Sequence, residues 1–237
     1  MAEKLKSIWR SQRSSLALKL FIVFIALVWY RNSADATAVL LFSGLYWLWY
    51  FRPAIGNRQF LASAAINFVL ALFLPIFPDA RLNALIVLIL IAIYGTLIGV
   101  KNLIFLKRDI AYYCGQFLLI AIFSLFILLG QLNWVNEIAI AGSLTLLFRE
   151  FYIFLAPGIT KGLPILSGLI SSLLAVELGW VISLVPKPIW IKVGLLTLLI
   201  FMIMEITAQY LQGKLVERNL KRDLTIASLG ILALFLF

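Results

Sequence analysis

The sequence predicts an all-α polytopic membrane protein with about eight or nine transmembrane helices. Of its 237 residues, 64% are hydrophobic, against roughly 45–50% in soluble domains. Only 13% are charged, about half the usual share. Long apolar stretches recur between short polar breaks. A soluble fold of this size lacks the polar residues to cover its surface, and a disordered chain would be far less hydrophobic.

Nine apolar segments are candidates to cross a hydrocarbon core of about 30 Å, which takes about 20 helical residues. The middle seven are long enough once interfacial residues are included, whereas the first and last are short. The segments run 16–30, 36–51, 60–77, 84–100, 111–130, 138–155, 163–185, 189–211 and 224–237. The breaks between them are too short for a soluble domain, so we expect residues 1–237 to form a single transmembrane domain.

The two terminal segments allow more than one interpretation. The first follows four basic residues and precedes Ala34-Asp35-Ala36, a pattern that cleaved secretory signals share. The next apolar run begins at that same point, so we expect a retained first helix. The last segment is only about 21 Å long as a helix, which fits a short span, a half-inserted helix or a packed terminal piece.

The distribution of basic residues predicts the orientation. Of the 20 Lys and Arg residues, 14 lie on the side that includes the N-terminus and four on the other. Because cytoplasmic loops retain basic residues, the N-terminus is expected in the cytoplasm. Aromatic residues such as Trp29, Trp134 and Trp190 lie near the expected interfaces. We expect an integral protein of a bacterial-type cytoplasmic (inner) membrane.

The residue types that are missing exclude several kinds of chemistry. The chain has no His and one Cys, so it cannot itself supply imidazole ligands for haem, zinc or copper, or a Ser-His or Cys-His catalytic pair. Neither a P-loop nor a GxGxxG pattern is present. We therefore predict no catalytic residue, no cofactor and no metal site.

Ionisable residues within the apolar segments are the candidate functional residues, because a charge at the bilayer centre costs about 2.5–3.5 kcal/mol on insertion scales. Arg149 and Glu150 lie in the sixth segment, Glu177 in the seventh and Glu205 in the eighth, with Gln209 one turn after Glu205. Adjacent spans pack as hairpins, so Arg149 is expected near Glu177. Two interpretations stay open: a structural network that Arg149 neutralises, which the stoichiometry favours, and a proton or cation relay.

Small residues predict where helices pack closely. Gly95 and Gly99 form a small-xxx-small pair, and a longer seam follows the seventh segment at Gly168, Ser172, Ala175 and Gly179. Glu177 falls nearly opposite this seam at 100° per residue. The isolated amides Asn67 and Gln116 are expected to form hydrogen bonds between helices.

The expected partners follow from the same features. The lipid bilayer is the first, and the basic cytoplasmic loops are suited to anionic headgroups. The small-residue seams are compatible with a membrane-protein partner or a homo-oligomer, although packing within the chain is favoured. Nucleic acid is not expected, because these short loops provide no folded basic surface.

Three function classes compete. We favour a non-catalytic membrane protein, namely a scaffold, an assembly factor or an integral subunit of a membrane complex. The alternative is a small secondary transporter or ion-coupled permease that uses Arg149, Glu177 and Glu205. An intramembrane lipid-modifying enzyme is the weakest of the three, because neither a nucleophile with its base nor a carboxylate metal motif is present.

Overall fold

The computed structural model describes residues 2–33, 35–52, 60–76, 80–102, 108–129, 134–156, 162–214 and 217–236. In these ranges the chain forms α-helices, one short 3-10 helix at Leu74–Ile76 and no strand, which confirms the all-α class. The helices are α1 Ala2–Ser33, α2 Ala36–Phe51, α3 Leu61–Leu72, α4 Ala80–Lys101, α5 Arg108–Leu129, α6 Trp134–Leu155, α7 Leu163–Ser183, α8 Ile189–Leu211 and α9 Glu217–Leu236.

Six of these helices contain a stretch that is long and apolar enough to cross a membrane. These stretches are Ser14–Ser33, Ala84–Lys101, Arg108–Leu129, Asn136–Leu155, Leu163–Ser183 and Ile189–Leu211. The helices α2 and α3 have only 16 and 12 residues, or about 24 and 18 Å of rise. The chain is thus a multi-pass helical protein, while the count of eight or nine spans stays a prediction.

The predicted third span, 60–77, is interrupted in the structure. Helix α3 ends at Leu72 and a 3-10 turn follows at Leu74–Ile76. Pro75 explains the early end, because proline lacks an amide hydrogen and disfavours helical geometry at the residue before it. Hydrophobicity alone had suggested a continuous helix here.

The ends of α7 and α8 follow standard rules of helix termination. Pro164 occupies the first turn of α7, where a missing N–H costs nothing. Helix α8 ends in a Schellman motif: Gly213 has a φ of +66°, and the Lys214 amide donates to the Gln209 carbonyl at 2.9 Å. At the other end, Pro188 directly precedes the first residue of α8. Both ends of α8 are therefore marked by local sequence signals.

The chain divides into two compact units, residues 1–119 and 120–237, with the boundary inside α5. Sequence composition does not change there, and the single transmembrane domain stays a prediction. In the first unit, α1 packs against α2 and α4, and α3 packs against α4, around an aromatic interior. The Tyr46 and Tyr94 rings stack at 4.2 Å, and the Tyr94 hydroxyl donates to the Tyr46 carbonyl at 2.6 Å.

The second unit is organised around α7, which packs against α6 and α8, while α9 packs against α8. Leu198 of α8 approaches Gly230 of α9, where a Cβ would lie 3.1 Å from the leucine Cδ1. The candidate residues of α6, α7 and α8 all belong to this unit.

Candidate functional site

The small-residue seam of α7 is its buried face and brings its backbone against α6. A Cβ atom on Gly168 would lie 2.8 Å from the Thr145 carbonyl oxygen and 3.2 Å from the Arg149 amide nitrogen. One turn along, the Ser172 and Thr145 hydroxyls are 2.8 Å apart. Glycine is required at position 168 because the atoms that it meets are backbone atoms, which cannot rotate away.

The remaining small residues are buried as well. Ala175 is fully buried, and a Cβ on Gly179 would lie 2.7 Å from Cγ2 of Ile127 in α5. In the first unit, a Cβ on Gly95 would lie 2.8 Å from Cδ1 of Leu20, so α4 meets α1 there. Gly99 is also buried. Each of these small residues lies at a buried position.

Glu177 lies on the opposite, exposed face of α7. It is surrounded there by exposed aliphatic side chains, with exposed fractions of 52% at Ile170, 50% at Leu173 and 61% at Val181. At 100° per residue all three lie within about 40° of Glu177. The Glu177 carboxylate makes no hydrogen bond or ion pair with any residue that the structure describes. It is an acid at the centre of an outward apolar face.

Arg149 is exposed too, on α6. Within the described ranges it forms no ion pair, and the neighbouring Glu150 is half-buried. The Arg149 backbone lies beside Gly168. Glu177 is nine residues further along α7, so it is displaced from the level of Arg149 by about 13.5 Å along the helix axis. This axial offset explains why the structure does not bring Arg149 and Glu177 together.

Arg149 and Glu177 differ in how far their charged groups can reach. Each lies six residues, or about 9 Å, from the nearer end of its helix. The long stem of arginine lets its guanidinium extend along an apolar surface towards the polar interface. A glutamate has only two methylene groups and cannot cover the same distance. Glu177 therefore stays on an apolar face, without a hydrogen-bond or ion-pair partner among the described residues.

Glu205 and Gln209 are a pair of candidate residues that the structure does bring together. The Gln209 side-chain amide donates to Glu205 Oε1 at 3.2 Å. Gln209 is 7% exposed, and Glu205 Oε2 is buried without a hydrogen-bond partner among the described residues. Leu198, which meets α9, precedes Glu205 by two helical turns. Glu205 thus lies on the side of α8 that faces α9.

Neutral polar contacts that sequence reasoning missed join α6, α7 and α8. The Tyr152 and Ser171 hydroxyls are 2.8 Å apart. The Gln212 amide donates to the Leu155 carbonyl at 3.0 Å. The consecutive serines 171 and 172 in an apolar helix were the available signal. These neutral contacts hold three helices together without a charge.

Lys101 is the second feature that sequence reasoning missed. It is only 2% exposed, and its ammonium donates to the Tyr50 carbonyl and lies 4.0 Å from the Tyr50 ring centroid. The sequence pattern had grouped Lys101 with the basic residues of a loop. A usable signal was its spacing from Tyr94, Leu97 and Ile98, which places it on their buried face.

The amides of Asn67 and Gln116 do form bonds between helices, as the sequence predicted. Asn67 Nδ2 donates to the Tyr46 hydroxyl at 3.1 Å and to the Leu90 carbonyl at 3.3 Å. Gln116 Nε2 donates to the Ser63 hydroxyl at 2.7 Å. Both amides are 1% exposed. They connect α3 to α2, α4 and α5 in the interior of the first unit.

Two further observations bear on function. In the part of the chain that the structure describes, no group of three or more His, Cys, Asp or Glu residues is placed to hold a metal ion. Comparison with protein-family models, with curated proteins and with solved structures finds no match. The functional inference therefore rests on the geometry of the chain itself.

Proposed function

We propose that this chain is a non-catalytic multi-pass membrane protein that serves as an integral subunit or scaffold of a membrane complex. The observation that carries the proposal is the outward position of Glu177. Its carboxylate lies in an exposed aliphatic face of α7 and has no partner among the described residues. A partner polypeptide that covers this face would supply the contact that the described residues do not.

The physical reason is the cost of an ionisable group in hydrocarbon. Charged residues within transmembrane segments almost always face a protein interior or a water-filled cavity and pair there. In the part of the chain that the structure describes, Glu177 is exposed and pairs with no other residue. Because the opposite face of α7 is already packed through Gly168 and Ser172, a partner has only the outward face of α7 to use.

The charge distribution supports an orientation for this complex. With the N-terminus in the cytoplasm, Arg149 lies towards the cytoplasmic end of α6, where its guanidinium reaches anionic headgroups. Glu177 then lies in the outer leaflet. A bacterial-type cytoplasmic membrane is the setting that we propose, with the lipid headgroups as a second partner.

A transporter is the alternative, and Glu205 is the observation that favours it. Its half-buried carboxylate has one oxygen without a partner among the described residues. A relay, however, needs its charged groups to share one water-filled route. Arg149 and Glu177 are exposed on other helix surfaces, whereas Glu205 lies on the α9 side of α8. We therefore favour the subunit.

Photo-crosslinking in native membranes tests the proposal. A benzophenone amino acid replaces Leu173, next to Glu177, or Leu88 of α4, which is 62% exposed, as the control at another exposed apolar position. We expect Leu173 to cross-link to a separate polypeptide of one defined mass, and Leu88 to cross-link to lipid instead. Cross-links from Leu173 only to lipid, or only within the chain, would overturn the proposal.

A further inference from the structure

We infer that the partner presents a lysine or arginine side chain within the membrane, at the depth of Glu177. This inference rests on the proposed function and specifies its partner: a transmembrane helix with one basic residue that lies against the outward face of α7. That face is defined here by Ile170, Leu173, Glu177, Val181 and Leu184. All four of its apolar members are exposed by 50% or more.

The depth of the carboxylate sets the position of the basic group. Helix α7 has 21 residues, or about 31 Å of rise, which matches one crossing of the hydrocarbon core. Glu177 is four residues, about 6 Å, from its midpoint on the Ser183 side. A charge at this depth in hydrocarbon is costly, so we expect a partner group to approach the carboxylate there.

Charge complementarity selects a basic partner over a neutral one. The polar groups near Glu177 on this side are another acid and an indole that is already bound: Trp180 Nε1 donates to Glu137 Oε1 at 3.0 Å. At the end of α7, Lys192 donates to the Ser183 carbonyl at 2.7 Å. The lysines on this side, Lys187 and Lys192, thus lie at or beyond the last residue of α7, about 9 Å from Glu177 along the axis. Among the described residues of the second unit, Glu177 has no cation at its own depth, and a basic group of the partner balances it there.

A second copy of the chain is the wrong occupant on geometric grounds. In a two-fold dimer with its axis along the membrane normal, each residue keeps its own depth. Arg149 is offset from Glu177 by about 13.5 Å along the helix axis, beyond the reach of one ion pair. The two Glu177 carboxylates would instead face each other across the axis, and like charges repel.

Synthetic helices test the inference directly. The full-length protein is reconstituted into phosphatidylcholine vesicles, and its association with labelled 22-residue leucine-alanine peptides is measured by energy transfer. One peptide carries a lysine four residues from its midpoint, a second carries norleucine there, and a third carries the lysine two turns away. The protein is wild type, Glu177→Gln or the control Glu137→Gln, which keeps an acceptor for Trp180.

We expect the first peptide to bind the wild-type protein roughly 5- to 30-fold more tightly than the norleucine peptide, the range for one polar contact between membrane helices. Glu177→Gln should abolish this preference, whereas Glu137→Gln should keep it. Equal binding of all three peptides, or a preference that survives Glu177→Gln, would overturn the inference. So would a homodimer that forms through Glu177 in place of peptide binding.

The two proposals fail in different ways. If Leu173 cross-links to a separate polypeptide but the lysine peptide has no advantage, the chain is a subunit whose partner does not use a basic residue. If the lysine peptide is preferred but native membranes give no cross-link to another polypeptide, the proposed function fails.

Discussion

The amide nitrogen of Arg149 lies 3.2 Å from the point where a Cβ on Gly168 would be, so α6 and α7 meet backbone to backbone. This contact fixes the axial register of the hairpin. The same register places Glu177 about 13.5 Å from Arg149 along the helix axis. The close contact at Gly168 thus keeps Arg149 and Glu177 apart.

Gly168→Ala should destabilise the protein. The added methyl group meets the Thr145 carbonyl oxygen at 2.8 Å, and overpacking of this kind costs about 1–3 kcal/mol. The measurement is the free energy of unfolding in a denaturing-detergent titration. Gly142→Ala is the matched control on α6, because a Cβ there has no atom within 4 Å and alanine favours a helix. Equal stability of the two variants would contradict the close packing.

Lys101→Met should weaken the first unit at the end of α2. The variant retains most of the side-chain volume but removes the donor to the Tyr50 carbonyl and the cation at its ring. We expect a loss of about 1–3 kcal/mol, the cost of a buried acceptor left without a partner. Arg52→Met, at an exposed position, is the control in the same unfolding assay. A neutral Lys101→Met variant would show that the ammonium has no structural role.

Asn67→Leu should lower stability as well, since it removes bonds to both Tyr46 and Leu90. Hydrogen bonds between membrane helices are worth about 0.6 kcal/mol on average and up to about 1.7, so we expect a loss of about 1–2 kcal/mol. Ser33→Ala serves as the control, because that exposed hydroxyl bonds only within its own helix. A more stable Asn67→Leu variant would mean that apolar packing outweighs these bonds.

Glu205→Gln separates the two function classes. Glutamine keeps an oxygen that accepts the bond from Gln209, so we expect stability to change by less than about 1 kcal/mol and cross-linking from Leu173 to persist. The transporter alternative is tested by measuring proton or cation flux into proteoliposomes. A flux in the wild type that Glu205→Gln abolishes would favour the transporter over the subunit.

The sequence predicts which face of a helix a residue lies on better than how far one helix is displaced along its neighbour. A period of 3.6 residues was enough to place Glu177 opposite the seam of Gly168 and Ser172, and the structure has this arrangement. The axial offset between Arg149 and Glu177 was not predictable, because periodicity says nothing about how far one helix slides against the next. Interhelical register depends on close contacts such as that of Gly168 with α6.

Burial of polar residues was predictable only in part. Asn67 and Gln116 lie within apolar segments, so their bonds between helices were expected. Lys101 lies at the end of a segment, where a basic residue equally marks a loop, and hydrophobicity does not distinguish the two. The end of α3 at Leu72 depends on Pro75, a local backbone effect that an average over a window of residues conceals.

The most direct test of the account is the mass of the complex that is extracted from native membranes in mild detergent. The 26.7 kDa chain should be recovered in a larger assembly as wild type and as Glu137→Gln, since the carboxylate that contacts the partner is intact in both. Glu177→Gln should reduce the fraction of the chain in that assembly at the same concentration. A wild-type chain recovered only as a monomer, or an assembly unaffected by Glu177→Gln, would contradict the role that we assign to Glu177.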